Sequence, residues 1–133
     1  MTEFMTNQFT IFFKHSEGFG KYIAKHCTKM GGRYDKTSRA MINEPGIYTV
    51  YIGDWKDCVR SYVSGKYMLN KGDLIVFSKV NDSVPSTSDE FDELVDKYND
   101  GYSAMVVSNV LHNILFDNDN KPWEINHIEV NNE

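Results

Sequence analysis

From Gln8 to Lys14 the chain reads QFTIFFK, a run of β-branched and aromatic side chains that predicts a strand with at least one well buried face. The apolar spacing then lengthens. Phe19, Ile23, Cys27 and Met30 recur at three- to four-residue steps, Ser16 stands where an N-cap would, Glu17 suits the positive end of a helix, and Gly31-Gly32 closes the stretch. A first helix is expected there. After a polar, irregular stretch from Arg33 to Pro45, GIYTVYIG predicts a central strand over Ile47 to Ile52. Asp54 is placed to cap a second helix whose stripe is Trp55, Cys58, Val59, Tyr62 and Val63, with Gly65 as its stop.

The turn Asn70-Lys71-Gly72-Asp73 leads into Leu74-Ile75-Val76-Phe77, a short buried strand, and the Asn, Asp, Ser, Thr and Pro85 of residues 81–88 form a loop. Ser88 is expected to cap a third helix that buries Phe91, Leu94, Val95 and Tyr98 and turns an acidic side to water. From Tyr102 the text is strand-like: YSAMVVSNV, LHNILF, a polar turn at DNDNKP, then WEINHIEV, the last two expected to pair as an antiparallel hairpin. The expected fold is therefore α+β, a mixed and largely antiparallel sheet with three helices packed mainly on one face. A chain of 133 residues with no linker-like stretch and no internal repeat is expected to be a single domain over 1–133.

Composition narrows the class. The 41% apolar and 14% aromatic share supports a packed core rather than disorder. The first residues lack a basic start followed by a long apolar run, and the longest unbroken apolar runs are too short to span a bilayer, so a cytoplasmic protein without membrane contact is expected. Cys27 and Cys58 show no CxxC spacing and read as reduced core thiols. Twelve Asn against three Ala and five Leu is the usage of an AT-rich genome and resembles that of small bacteriophage accessory proteins.

Charge is divided along the chain. Residues 1–42 carry +4 and the rest −9, within a net of −5. On the expected first helix Lys21, Lys25 and Lys29 stand four apart and so form one ridge, which with Lys14 and Arg33 offers a phosphate- or nucleic-acid-binding patch. At the opposite pole, Asp82, Asp89, Glu90, Asp92, Glu93, Asp96 and Asp100 face only Lys97 between residues 82 and 100. Of these, Asp89, Glu90, Asp92, Glu93 and Asp96 form a protein-binding surface able to imitate a row of phosphates, or simply the solvated side of an amphipathic helix.

Catalytic and cofactor motifs fail on spacing. Gly46-Ile47-Tyr48 and Tyr51-Ile52-Gly53 spell both halves of the GIY-YIG nuclease signature, but two intervening residues cannot supply the turn between two strands, and Tyr48 and Tyr51 then point to opposite faces of one strand. Gly18-Phe19-Gly20-Lys21 is not a P-loop, because one residue rather than four separates the glycines and Tyr22 follows the lysine, and it is not a dinucleotide fingerprint, because Ile23 stands where a third small residue is needed. Asp117-Asn118-Asp119-Asn120 starts like a calcium loop, but Lys121, Pro122 and Ile128 stand where ligands and glycine are needed. The four histidines occur singly, so neither metal nor cofactor is expected. Ser64-Gly65-Lys66 with Lys71-Gly72-Asp73-Leu74-Ile75-Val76-Phe77 resembles PUA and ASCH domains over about fifteen residues. That resemblance implies a small β-barrel recognising RNA or a modified base.

The expected function is a small, non-enzymatic binding protein, phage-encoded by its composition, that modulates or inhibits a host protein in the manner of host-takeover or anti-defence factors. The alternative is a nucleic-acid or nucleotide binder acting through Lys14, Lys21, Lys25, Lys29 and Arg33, PUA/ASCH-like at most. For an enzyme with a dispersed site, the polar residues to consider are Tyr48, Tyr51, Arg60, His112, His127 and Glu124.

Overall fold

The computed structural model describes residues 7–15, 18–31, 33–35, 39–42, 47–53, 69–100, 102–113, 118–119 and 127–132. Its elements in chain order are β1 (Asn7–His15), β2 (Gly18–Gly31), β3 (Arg33–Asp35), β4 (Ala40–Ile42), β5 (Tyr48–Ile52), β6 (Leu74–Val76), α1 (Ser88–Tyr98), β7 (Ala104–Val106), β8 (Asn109–Asn113) and β9 (His127–Asn131). Seven strands form one sheet in the order β7-β6-β1-β2-β5-β9-β8, and β3 pairs with β4 in a second, two-stranded sheet. Every pairing is antiparallel.

This corrects the α+β expectation. The molecule is mostly sheet, curled into a half-barrel, and α1 is the one helix among the described residues. The second expected helix, over Asp54 to Val63, lies outside the described residues. The first is replaced outright, because the segment expected to be helical is β2, fourteen residues long and paired on one side with β1 and on the other with β5. Glycines at 18 and 20 each cost a helix about 1 kcal/mol relative to alanine, and Tyr22, Ile23, Cys27 and Thr28 are weak helix formers, so pairing with two neighbours prevails.

One irregularity governs which way β2 points its side chains. Phe9 pairs with Ala24 and Asn7 with Cys27, so β2 holds one residue more than β1 between those pairs, and His26 takes a positive φ of 57°. Across this bulge the alternation shifts by one. Ala24 and Cys27, an odd number of residues apart, both face the same buried cluster.

The curl is visible in ring contacts. In the sheet β5 stands three strands from β6, about 14 Å in a flat arrangement. Yet the rings of Tyr48 on β5 and Phe77, just beyond β6, lie 4.9 Å apart, and Phe77 also meets Phe9 at 5.4 Å. The two edge strands, β7 and β8, are consecutive in the chain. Between them the Val107 N–H donates to the Asp73 carbonyl and the Ser108 N–H to the Asn131 carbonyl, each at 2.8 Å, so neighbouring peptides bond to opposite ends of the sheet.

Two clusters result. The concave face buries Phe9, Ile11, Phe13, Ala24, Cys27, Val50, Ile52, Ile75, Met105, Ile128 and Val130. The other face, over β1, β6 and β7, buries Phe12, Leu74, Val76 and Ala104 beneath Phe91 of α1. Thr10 is buried, its hydroxyl donating to the Ser78 carbonyl and accepting from the Val80 N–H, which ties the loop before α1 to β1. β8 and β9 pair antiparallel as expected of LHNILF and WEINHIEV, but the ladder begins at Asn109, two residues before LHNILF, and residues 114–116 and 123–126 of those runs lie outside the described residues.

Candidate functional site

The acidic surface is built on a helix with a defined start. Thr87, rather than Ser88, caps α1, its hydroxyl accepting the Glu90 N–H at 3.2 Å, while the Glu90 carboxylate reaches back to the Ser86 N–H at 2.6 Å. Phe91 is buried and stacks on Phe19 of β2 with centroids 5.9 Å apart, and Leu94, Val95 and Tyr98 pack beside it. This leaves Asp89, Glu93 and Asp96 on the outward side at i, i+4 and i+7, with Asp92 adjacent, all four exposed. Glu90 is exposed too, although its carboxylate is engaged by Ser86.

A polar staple fixes the last turn of α1 to the preceding loop. The Asp82 carboxylate accepts from Lys97 Nζ at 2.8 Å and from the Tyr98 hydroxyl, and the Asp82 carbonyl accepts from Lys21 Nζ at 2.8 Å. The hydrogen bonds from Lys97 and Tyr98 lower the Asp82 pKa; the same bonds raise those of Lys97 and Tyr98. A depressed carboxylate stabilises the fold above its unfolded value of 3.8 and ceases to do so as pH falls through the folded value. Raised Lys97 and Tyr98 contribute below their unfolded values, near 10, and lose that contribution as pH rises through the folded ones. The staple is therefore complete between about pH 5 and pH 9. Urea midpoints measured from pH 7 to pH 3 are expected to fall more steeply for the wild type than for Asp82→Asn, the two curves converging in acid; parallel curves would show that the Asp82 carboxylate does not fasten α1.

The basic residues do not form a ridge. Lys21 lies opposite Phe12 on the α1 side of the sheet, its Nζ 5.8 Å from the Phe12 centroid. Lys29, beyond the bulge, faces the concave side with its Nζ 4.4 Å from the Phe77 centroid and 5.1 Å from that of Tyr48. Lys25 is exposed within the bulge, and Arg33 opens β3 in the other sheet. Lys14 sits beside α1, 5.1 Å from the Phe91 centroid and 3.9 Å from the Asp92 carboxylate. The expected separation into opposite electrical poles is corrected accordingly, since Lys14 and Lys21 adjoin the acidic helix and its loop.

Of the residues singled out for a dispersed active site, the structure brings Tyr51 and His127 together and sets Tyr48 apart from them. Tyr48 is buried on the concave side, whereas Tyr51 emerges on the opposite face of the same strand, as the two-residue spacing requires. Tyr51 approaches His127 with ring centroids 5.8 Å apart, and burial first and the Glu129 charge second raise its pKa. His112 pairs in register with Ile128, while Arg60 and Glu124 lie outside the described residues. No group of three or more His, Cys, Asp or Glu able to hold a metal occurs among the described residues.

Asp73 belongs to the Gly-Asp turn on which the PUA/ASCH resemblance rested, and its geometry gives the turn a structural use. Its carboxylate is fully buried and accepts the Lys14 N–H and the Asn70 N–H, each at 2.8 Å, which joins the turn to β1. Gly72 makes the turn with φ 97°.

No protein-family model, curated protein or solved structure matches this chain. No helix among the described residues is long and apolar enough to cross a membrane.

Proposed function

We propose that this chain is a non-enzymatic binding protein whose acidic α1 face, Asp89, Asp92, Glu93 and Asp96 with Glu90 at its start, engages a basic groove on a protein partner. The observation that carries this reading is the mounting of the carboxylates: Phe91, Tyr98 and the Asp82 staple hold the helix from beneath, while the acids face outward. A helix backbone anchored beforehand leaves only side-chain freedom to be lost when the carboxylates meet a partner. Their spacing along a helix presents negative charge as a row, the pattern to which a groove evolved for phosphates responds. A partner in the host of a phage, modulated or inhibited by occupation of such a groove, fits the composition of the chain.

The triple substitution Asp89→Lys, Glu93→Lys, Asp96→Lys keeps every apolar anchor of α1. Tagged wild type is expected to retain a stoichiometric partner from host lysate at low salt and to release it at high salt, whereas the triple variant retains at least tenfold less. Failure of the wild type to retain any stoichiometric protein, or equal retention by the variant, rejects the proposal.

A further inference from the structure

We propose that Lys29 is a strap that holds the curled sheet closed at one end, and that its positive charge is what fastens it. The bulge at Lys25 and His26 turns Lys29 to the concave side, opposite Val50 on β5. From there its ammonium crosses to the far side of the curl, 4.4 Å from the Phe77 centroid, 5.1 Å from that of Tyr48 and 3.4 Å from the Tyr102 carbonyl. Phe77 follows β6 and Tyr102 precedes β7, so one side chain bridges strands that the sheet order separates by two or three places.

The two rings meet edge to face at 68°, forming a corner that presents π density to the cation from two directions. Beneath the strap the Phe77 N–H donates to the Ser103 carbonyl at 2.9 Å, the first hydrogen bond past the β6–β7 ladder and so the one an opening at this end breaks first. Without the charge, the attraction to the Tyr48 and Phe77 rings is lost. This inference is independent of the binding role of α1.

Amide hydrogen exchange of the wild type, Lys29→Met and Lys29→Arg tests it, together with the proton shift of the Lys29 ε-methylene in the wild type. Lys29→Met is expected to speed exchange at Phe77 roughly five- to tenfold, Lys29→Arg to leave it near the wild-type rate, and Ile11 and Ile75 to be unaffected in both. The wild-type ε-methylene is expected to be moved upfield by the rings. Unchanged exchange in Lys29→Met, equal acceleration in Lys29→Arg, acceleration that extends to Ile11 and Ile75, or an ε-methylene at the position of free lysine each overturns the strap.

Discussion

Asp73→Ala is expected to lower the unfolding free energy by about 3–5 kcal/mol, since two hydrogen bonds to a buried charged acceptor disappear and the Lys14 and Asn70 N–H groups lose their partner. The loss falls at a junction. Asp73 ends the Gly72 turn, its carboxylate holds β1, and its carbonyl accepts the Val107 N–H where the chain passes from β7 to β8. Asp73→Asn keeps one oxygen acceptor and is expected to cost about half as much. Urea unfolding followed by tryptophan fluorescence measures both, and a change below about 1 kcal/mol for Asp73→Ala would show that the carboxylate is dispensable to the junction.

Phe91→Ala carries the second large effect, about 3–4 kcal/mol, because it empties the space between Phe12, Phe19 and Val76 that the ring fills. An eleven-residue helix is too short to persist unaided in water, so α1 depends on this anchor more than on its own hydrogen bonds. The far-UV circular dichroism of Phe91→Ala is expected to lose helical signal at urea concentrations where the strands remain folded. Binding through the acidic face is expected to fall with it. Retention of the full helical signal together with wild-type stability would place the anchor elsewhere.

The two substitutions touch parts of the chain that were unequally legible. For α1, the loop residues before it, the acids of its first turn and the Phe91, Leu94, Val95, Tyr98 spacing agreed on one answer, and the helix forms over Ser88–Tyr98 with its cap one residue earlier than the pattern suggested. The strands at Asn7–His15, Tyr48–Ile52 and Leu74–Val76 were legible for the same reason, their β-rich composition and bounding turns pointing one way. Asp73 was visible only as part of a common turn pattern. Nothing local says that its carboxylate is buried, because Asn70 belongs to the same turn but the Lys14 N–H is brought to it only by the pairing of β1 with β6.

Residues 18–31 mark the limit. Phe19, Ile23 and Cys27 are four apart, and a four-residue step returns to the same side of a helix and also to the same face of a strand, so only the three-residue step from Cys27 to Met30 favoured the helix. Strand pairing on both sides resolved that ambiguity, and the bulge at Lys25 and His26 then sent Lys21 and Lys29 to opposite faces of the sheet.

What this sequence determined by itself was local: where β-rich runs begin and end, where a capped helix with an acidic outer side starts, and how the net charge is spread along the chain. What only the tertiary structure decided was the identity of β2, the faces its lysines occupy, and the curl that carries Lys29 over Tyr48 and Phe77. The physical reason is that strand formation and bulge position depend on hydrogen-bonding partners distant in sequence, whereas a cap and its helix find theirs within four residues.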